Sequence, residues 1–128
     1  MQSKNLLNIT LLIILAVYSF YINFYYASFG VFPIDTFTFF DTGYSVTMGK
    51  HPIKDFWIIS GLFGDYVQAF FFKIFGFNWN SYIYHSSTFN LAVTIIFYLY
   101  LKKLGLNYIE SFIFSLSFAT LCYPVAGT

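Results

Sequence analysis

Residues 5–29, NLLNITLLIILAVYSFYINFYYASF, contain no charged side chain, and their reading decides the fold class. Wound as a helix at about 1.5 Å per residue, the run exceeds the roughly 30 Å hydrocarbon layer, so it predicts a membrane-crossing helix with some tilt. A cleaved leader has a shorter apolar core followed by small residues. Here Tyr18, Phe20, Tyr21, Phe24, Tyr25 and Tyr26 crowd the second half like an interfacial aromatic belt, so the run reads as an uncleaved anchor.

Composition agrees. The chain is 59% hydrophobic and 9% charged with mean hydropathy +0.69, outside the range of water-soluble domains. At 128 residues it has room for about three spans of roughly 20 residues and one sizeable loop. Lysines and acids nearly balance at a net charge of +1, which excludes the basic footprint of a nucleic-acid binder. Cys122 is the single cysteine, so an intrachain disulfide and a cysteine-built zinc site are both excluded.

Working outward, residues 81–101 form a second apolar run ending at Lys102 and Lys103, and residues 108–125 form a third. Gly105 suits the position after a helix and Asn107 the cap before the next, so the two runs predict a helical hairpin. The fold class expected is therefore an all-α membrane protein with three transmembrane helices (5–29, 81–101, 108–125). Its outward loop contains two interfacial helices.

That loop, residues 30–80, carries the chemistry. Pro33 followed by Asp35 predicts a helix start with Asp35 as N-cap, a helix over 36–48 and a stop at Gly49. His51-Pro52 reads as a turn, after which Asp55 caps a helix over 56–75 closed by Gly76. On a helical wheel Ser60, Gly61, Gly64, Asp65 and Gln68 share one narrow face. The ordinary reading of that stripe is the water side of an interfacial helix; the sharper one is a wet substrate groove. Gly61 and Gly64 read as packing positions.

A spanning helix over 56–75 would carry Asp65 near mid-bilayer, at about 2.5 to 3.5 kcal/mol, whereas a helix lying flat avoids that cost. Lysine counting mildly favours the spanning layout but does not decide between the two. A flat helix puts Lys4, Lys102 and Lys103 inside; a spanning one puts Lys50, Lys54, Lys102 and Lys103 inside.

An ionisable residue where bilayer meets water is a functional-site candidate, which singles out Asp35. Asp41 is a second candidate, with a solvated helix face as its bland reading. His51 and His85 form no recognised ligand spacing. Asn8-Ile9-Thr10 matches a glycosylation acceptor but lies inside the first predicted span.

The order of an apolar helix, then Asp35, then Gly49-Lys50-His51-Pro52-Ile53-Lys54-Asp55-Phe56, then a helix ending Lys73-Ile74-Phe75-Gly76 resembles a known pattern. It is similar to the N-terminal part of GT-C class integral-membrane glycosyltransferases, of the protein-mannosyltransferase and lipid A aminoarabinose transferase type. There an acid opens the first outward loop, a glycine follows about fourteen positions on, and a proline-bearing turn leads into an interfacial helix ending in Phe-Gly. Two departures stand out: Thr36 occupies the place of the family's frequent second acid, leaving Asp41 as understudy, and the family has more spans and a second acidic loop.

The resemblance implies an inner or plasma membrane location, with the N-terminus cytoplasmic, residues 30–80 outside and the helix over 56–75 lying flat. It implies a polyprenyl-phosphate sugar donor as partner alongside membrane lipid. It further implies a carboxylate, Asp35 or Asp41, that deprotonates or orients the acceptor hydroxyl or holds a divalent cation. Lys50 and Lys54 would stabilise the phosphate leaving group, and Asp65 would contact substrate. On this reading the chain is the N-terminal piece of a longer enzyme and inactive alone, since three helices cannot exclude water around two substrates. Two other readings stand beside it: a small multi-span assembly partner, and a channel or transporter segment with Asp65 on the pathway.

Overall fold

The computed structural model describes the backbone of residues 2–29, 33–57 and 61–121, with side chains from residue 5 and, in the second segment, from residue 36. Among these the chain is all helical: α1 (Gln2–Ala27), α2 (Pro33–Thr47), α3 (Leu62–Phe75), α4 (Trp79–Lys103) and α5 (Tyr108–Leu121). Cys122 and the end of the third predicted span lie outside the described residues. The helices divide into two units, one of residues 2–25 with 87–121 and one of residues 26–86.

In the first unit α1 and α4 run antiparallel, as the rungs between them show: Tyr98 donates to Asn8 at 2.6 Å, Asn90 to the Ser19 carbonyl at 2.7 Å, and Asn23 to Ser87 at 3.1 Å. α5 closes the bundle through a 2.8 Å hydroxyl pair of Tyr18 with Thr120 and a stacked pair of Phe97 with Phe118. The hairpin between α4 and α5 follows from its turn residues. Gly105, at φ 94°, donates to the Lys102 carbonyl while Leu106 donates to Leu101, a Schellman stop that L side chains disfavour and glycine accepts. Asn107 Oδ1 then accepts from Ile109 and Glu110 amides, and Glu110 Oε2 accepts from the Asn107 amide, a reciprocal capping box.

The interior of this unit is small and polar. Ser19, Asn23, Ser87, Asn90, Thr94, Ser111 and Ser115 are buried beside Leu15, Tyr98 and Ala119, whereas Leu6, Val17, Ile96 and Leu121 are exposed at 67%, 65%, 65% and 81%. That inverts the pattern water imposes, where large apolar side chains go inside. Serines at α5 positions 111 and 115 with Ala119 recur every fourth residue, giving a flat stripe that lets helix backbones approach.

One helix among those described, α1 over Asn5–Ala27, is both long and apolar enough to cross a membrane, and only 11% of its apolar window is buried. Three such helices were expected. α4 has the length, about 37 Å, but Asn80, Ser81, His85, Ser86, Ser87 and Asn90 dilute its first half. The described part of α5 covers 14 residues, about 21 Å.

The loop helices also depart from expectation. α2 begins at Pro33, a residue whose missing amide proton costs nothing in a first turn, so Asp35 sits inside that turn and is not its N-cap. α3 begins six residues later than predicted, at Leu62 after Gly61, because Asp55 folds back into its own turn instead of capping a helix. At 14 residues α3 rises about 21 Å, short of a bilayer core. Gly61 takes a φ of 86°, which glycine accepts, and no described residue lies within 4 Å of a Cβ built there, so among the described residues it is not a packing position.

Asn90 is the rung with most at stake, its amide reaching the Ser19 carbonyl and, at 3.5 Å, the Ala119 carbonyl. Asn90→Leu is expected to lower the stability of the chain in detergent micelles by about 1 kcal/mol, the scale of interhelical bonds in membrane bundles. Unfolding titration with a denaturing detergent reads the loss; an unchanged midpoint would contradict this role.

Candidate functional site

The second unit holds every loop residue singled out from sequence. α2 ends at Gly49, φ 83°, with Gly49 donating to Val46 and Lys50 to Ser45, the same Schellman stop as at Gly105. The chain then reverses over residues 51–56. Asp55 Oδ2 accepts from the His51 amide at 2.7 Å, the Asp55 amide donates to the His51 carbonyl, and Ile53 donates to Phe56. Ile53 takes φ 75°, a left-handed conformation that a β-branched residue adopts only where its surroundings impose it. His51 Nδ1 lies 3.2 Å from the Tyr66 hydroxyl, tying this turn to α3.

α3 turns its polar stripe toward protein. Asp65 and Gln68 are 1% and 2% exposed, while Phe63, Tyr66, Phe70 and Ile74 are exposed, so these two members of the stripe face protein and not water; Gly61 is exposed, and Ser60 lies outside the described residues. Thr42 donates to Asp65 Oδ1 at 2.7 Å, joining α2 to α3. Gly43 permits the approach: a Cβ there would overlap Gln68 Cγ and stand 2.9 Å from Gln68 Cβ and 3.2 Å from Phe72 Cε2. Gln68 in turn meets His85 of α4, its Oε1 at 2.5 Å from Nδ1. An amide oxygen only accepts, so the proton of this bond belongs to His85 Nδ1. Gln68 Nε2 is buried with no partner among the described residues.

An aromatic cluster flanks this polar layer. Phe40 meets Phe72 at 5.0 Å and Phe77 at 4.7 Å between ring centres, and Trp79 stacks on Tyr82 at 5.1 Å. The connection from α3 to α4 is tight: Asn78 caps α4 by accepting from the Ser81 amide at 3.0 Å, and its own amide group donates to Phe75.

The sequence-predicted residues divide accordingly. Asp41, Lys50 and Lys54 are exposed, Asp65 is buried, and the Asp35 side chain lies outside the described residues. The structure brings Asp65 to α2 at Thr42, the neighbour of Asp41 in sequence. His51 and His85 engage Tyr66 and Gln68 respectively. No group of three His, Cys, Asp or Glu converges among the described residues. Thr42, Gly43 and the pairing of Gln68 with His85 were not singled out from sequence. A glycine inside an otherwise regular helix was the available signal, since it weakens the helix unless a neighbour needs the space.

No family model, curated protein or solved structure matches this chain.

Two substitutions separate shape from polarity here. Gly43→Ala inserts a Cβ into Gln68 and is expected to destabilise by about 1 to 3 kcal/mol. Thr42→Val removes the donor to a buried carboxylate, at a cost of about 1.5 to 3 kcal/mol. Thermal unfolding in micelles measures both, and wild-type stability in either variant would contradict the packing described.

Proposed function

We propose that this chain is an integral membrane protein corresponding to the N-terminal, loop-bearing region of a polyprenyl-phosphate-sugar-dependent glycosyltransferase of the GT-C type. The observation that supports membrane residence is the inverted first unit: serine, threonine and asparagine inside, leucine, isoleucine and valine outside. α1 differs from a buried core helix in that only 11% of its apolar stretch is buried, and from a leader in being bonded into the bundle through Asn8, Tyr18, Ser19 and Asn23. In this reading α1, α4 and α5 cross the bilayer, the N-terminus is cytoplasmic, and α2 and α3 lie on the outer face of an inner or plasma membrane.

The glycosyltransferase reading is supported by the order of residues from Asp35 through Gly49 and Lys54 to Gly76. It is also supported by the brevity of α3, which suits a helix lying along the surface. Asp35 or Asp41 would take the acceptor proton or orient the hydroxyl, and Lys50 and Lys54, exposed on the turn, would meet the departing phosphate. Asp65, buried on Thr42, would act on substrate through the placement of α2 and not by direct contact.

A second reading, a structural partner for other membrane helices, draws support from the aromatic and aliphatic surface left open on α1 and α4.

Cysteine labelling tests the layout. With Cys122 replaced by serine, a cysteine at Lys54 is expected to react with a membrane-impermeant maleimide in intact cells; reaction only after lysis would overturn the outward loop. A photoactivatable polyprenyl-phosphate sugar is expected to label the chain in membranes, and Lys50→Gln with Lys54→Gln to reduce labelling by about tenfold or more, the scale of one or two lost charge-assisted contacts. Undiminished labelling removes the lysines from the donor site, and absent labelling of wild type favours the structural partner.

A further inference from the structure

At one end of the first unit the start of α1, the end of α4 and the start of α5 meet around an open groove of about 500 Å³ lined by Leu7, Lys102, Asn107, Tyr108, Ile109 and Glu110. Its two walls differ. Leu7 and Ile109, both exposed, offer an apolar side continuous with the outer surface of the bundle, and Lys102 supplies a cation at the rim.

That cation is held in place. Lys102 Nζ donates to the Leu106 carbonyl at 2.6 Å and stands 3.9 Å from the centre of the Tyr108 ring. An ammonium has three N–H donors, and a carbonyl accepts one of them. The arrangement fixes the side chain while leaving donor capacity for an anion. Lys103 follows in sequence and is exposed, and Lys4 precedes Leu7 by three residues. Glu110 also lines the groove, its Oε2 accepting the Asn107 amide in the capping box, so Lys102 and Lys103 bring two positive charges to this end against its one negative charge.

The geometry points to a phospholipid seat: the phosphate of an anionic lipid at Lys102, with Lys103 adding to the local positive charge, and an acyl chain laid along Leu7 and Ile109. This rests on the membrane reading above, which puts the groove where the apolar run of α1 begins, at the cytoplasmic headgroup level. The charge complementarity then has a source, since anionic lipids of that leaflet attract juxtamembrane lysines at about 1 kcal/mol each, or roughly fivefold in binding.

Native mass spectrometry of the whole chain in micelles, titrated with phosphatidylglycerol or phosphatidylcholine, tests the seat. Wild type is expected to retain phosphatidylglycerol about fivefold over phosphatidylcholine. Lys102→Gln should erase that preference, Leu7→Trp should displace the acyl chain and lower retention of either lipid, and Lys73→Gln should change nothing. Because Lys102 also braces the hairpin, Leu7→Trp serves as the variant that leaves the cation and its contacts alone. Equal retention of the two lipids by wild type, or unchanged retention in Leu7→Trp, would overturn the proposal. Displacement of phosphatidylglycerol by inorganic phosphate would also overturn it, in favour of a simple anion site. Extraction of membranes with alkaline carbonate separates the two levels: release of the chain defeats the membrane reading itself, whereas a retained chain with no lipid preference defeats only the seat.

Discussion

The interior of the α1, α4 and α5 bundle answers one constraint: with its outer surface given over to leucine, isoleucine and valine, polar groups buried on these helices bond to one another, as Asn23, Asn90 and Tyr98 do, while Thr94 Oγ1 and Ser115 Oγ have no partner among the described residues. Asn90 shows how. Its side chain crosses to the Ser19 carbonyl, which lies mid-helix in α1 and retains a second lone pair, and to the Ala119 carbonyl in the last described turn of α5. Serines 111 and 115 and Ala119 are small enough to bring the backbones within that reach. The small and the polar positions are therefore one device.

The α2 and α3 pair follows the same logic with higher stakes. A carboxylate and a carboxamide on consecutive turns of α3 are buried, and each meets a partner from a different helix, Asp65 from α2 and Gln68 from α4. The bond of Thr42 to Asp65 and the seating of Gln68 against Gly43 set the register of α2 against α3, and α2 carries both candidate acids. Exposed Lys50 and Lys54 sit on a turn that is bonded internally through Asp55 and tethered to α3 through His51 and Tyr66. Rigid support beneath exposed charges is what a site requires if it is to stabilise charge without reorganising.

Much of the helical layout was legible from punctuation. Gly49, Gly76, Gly105 and Asn107 end or begin helices in the structure because their preferences are local: a left-handed φ costs glycine little, and an asparagine side chain reaches amides two and three residues on. The start of α3 was misread because two local options compete at Asp55. It can cap the residues ahead or accept the amide of His51 behind, and the backbone reversal that brings His51 into range is not written in composition.

By itself, then, the sequence determined that the chain is helical, that residues 5–29 suit a bilayer, and where most helices stop. Hydropathy and turn chemistry act over a few residues and need no partner. Only the tertiary structure decided that Asp65 and Gln68 face protein, that Gly43 exists to admit Gln68, and that Lys102 is held against Tyr108 beside Leu7. The physical reason is range: a polar stripe on a helix wheel looks the same whether water or another helix covers it, and the covering groups on Thr42 and His85 lie 23 and 17 residues away along the chain.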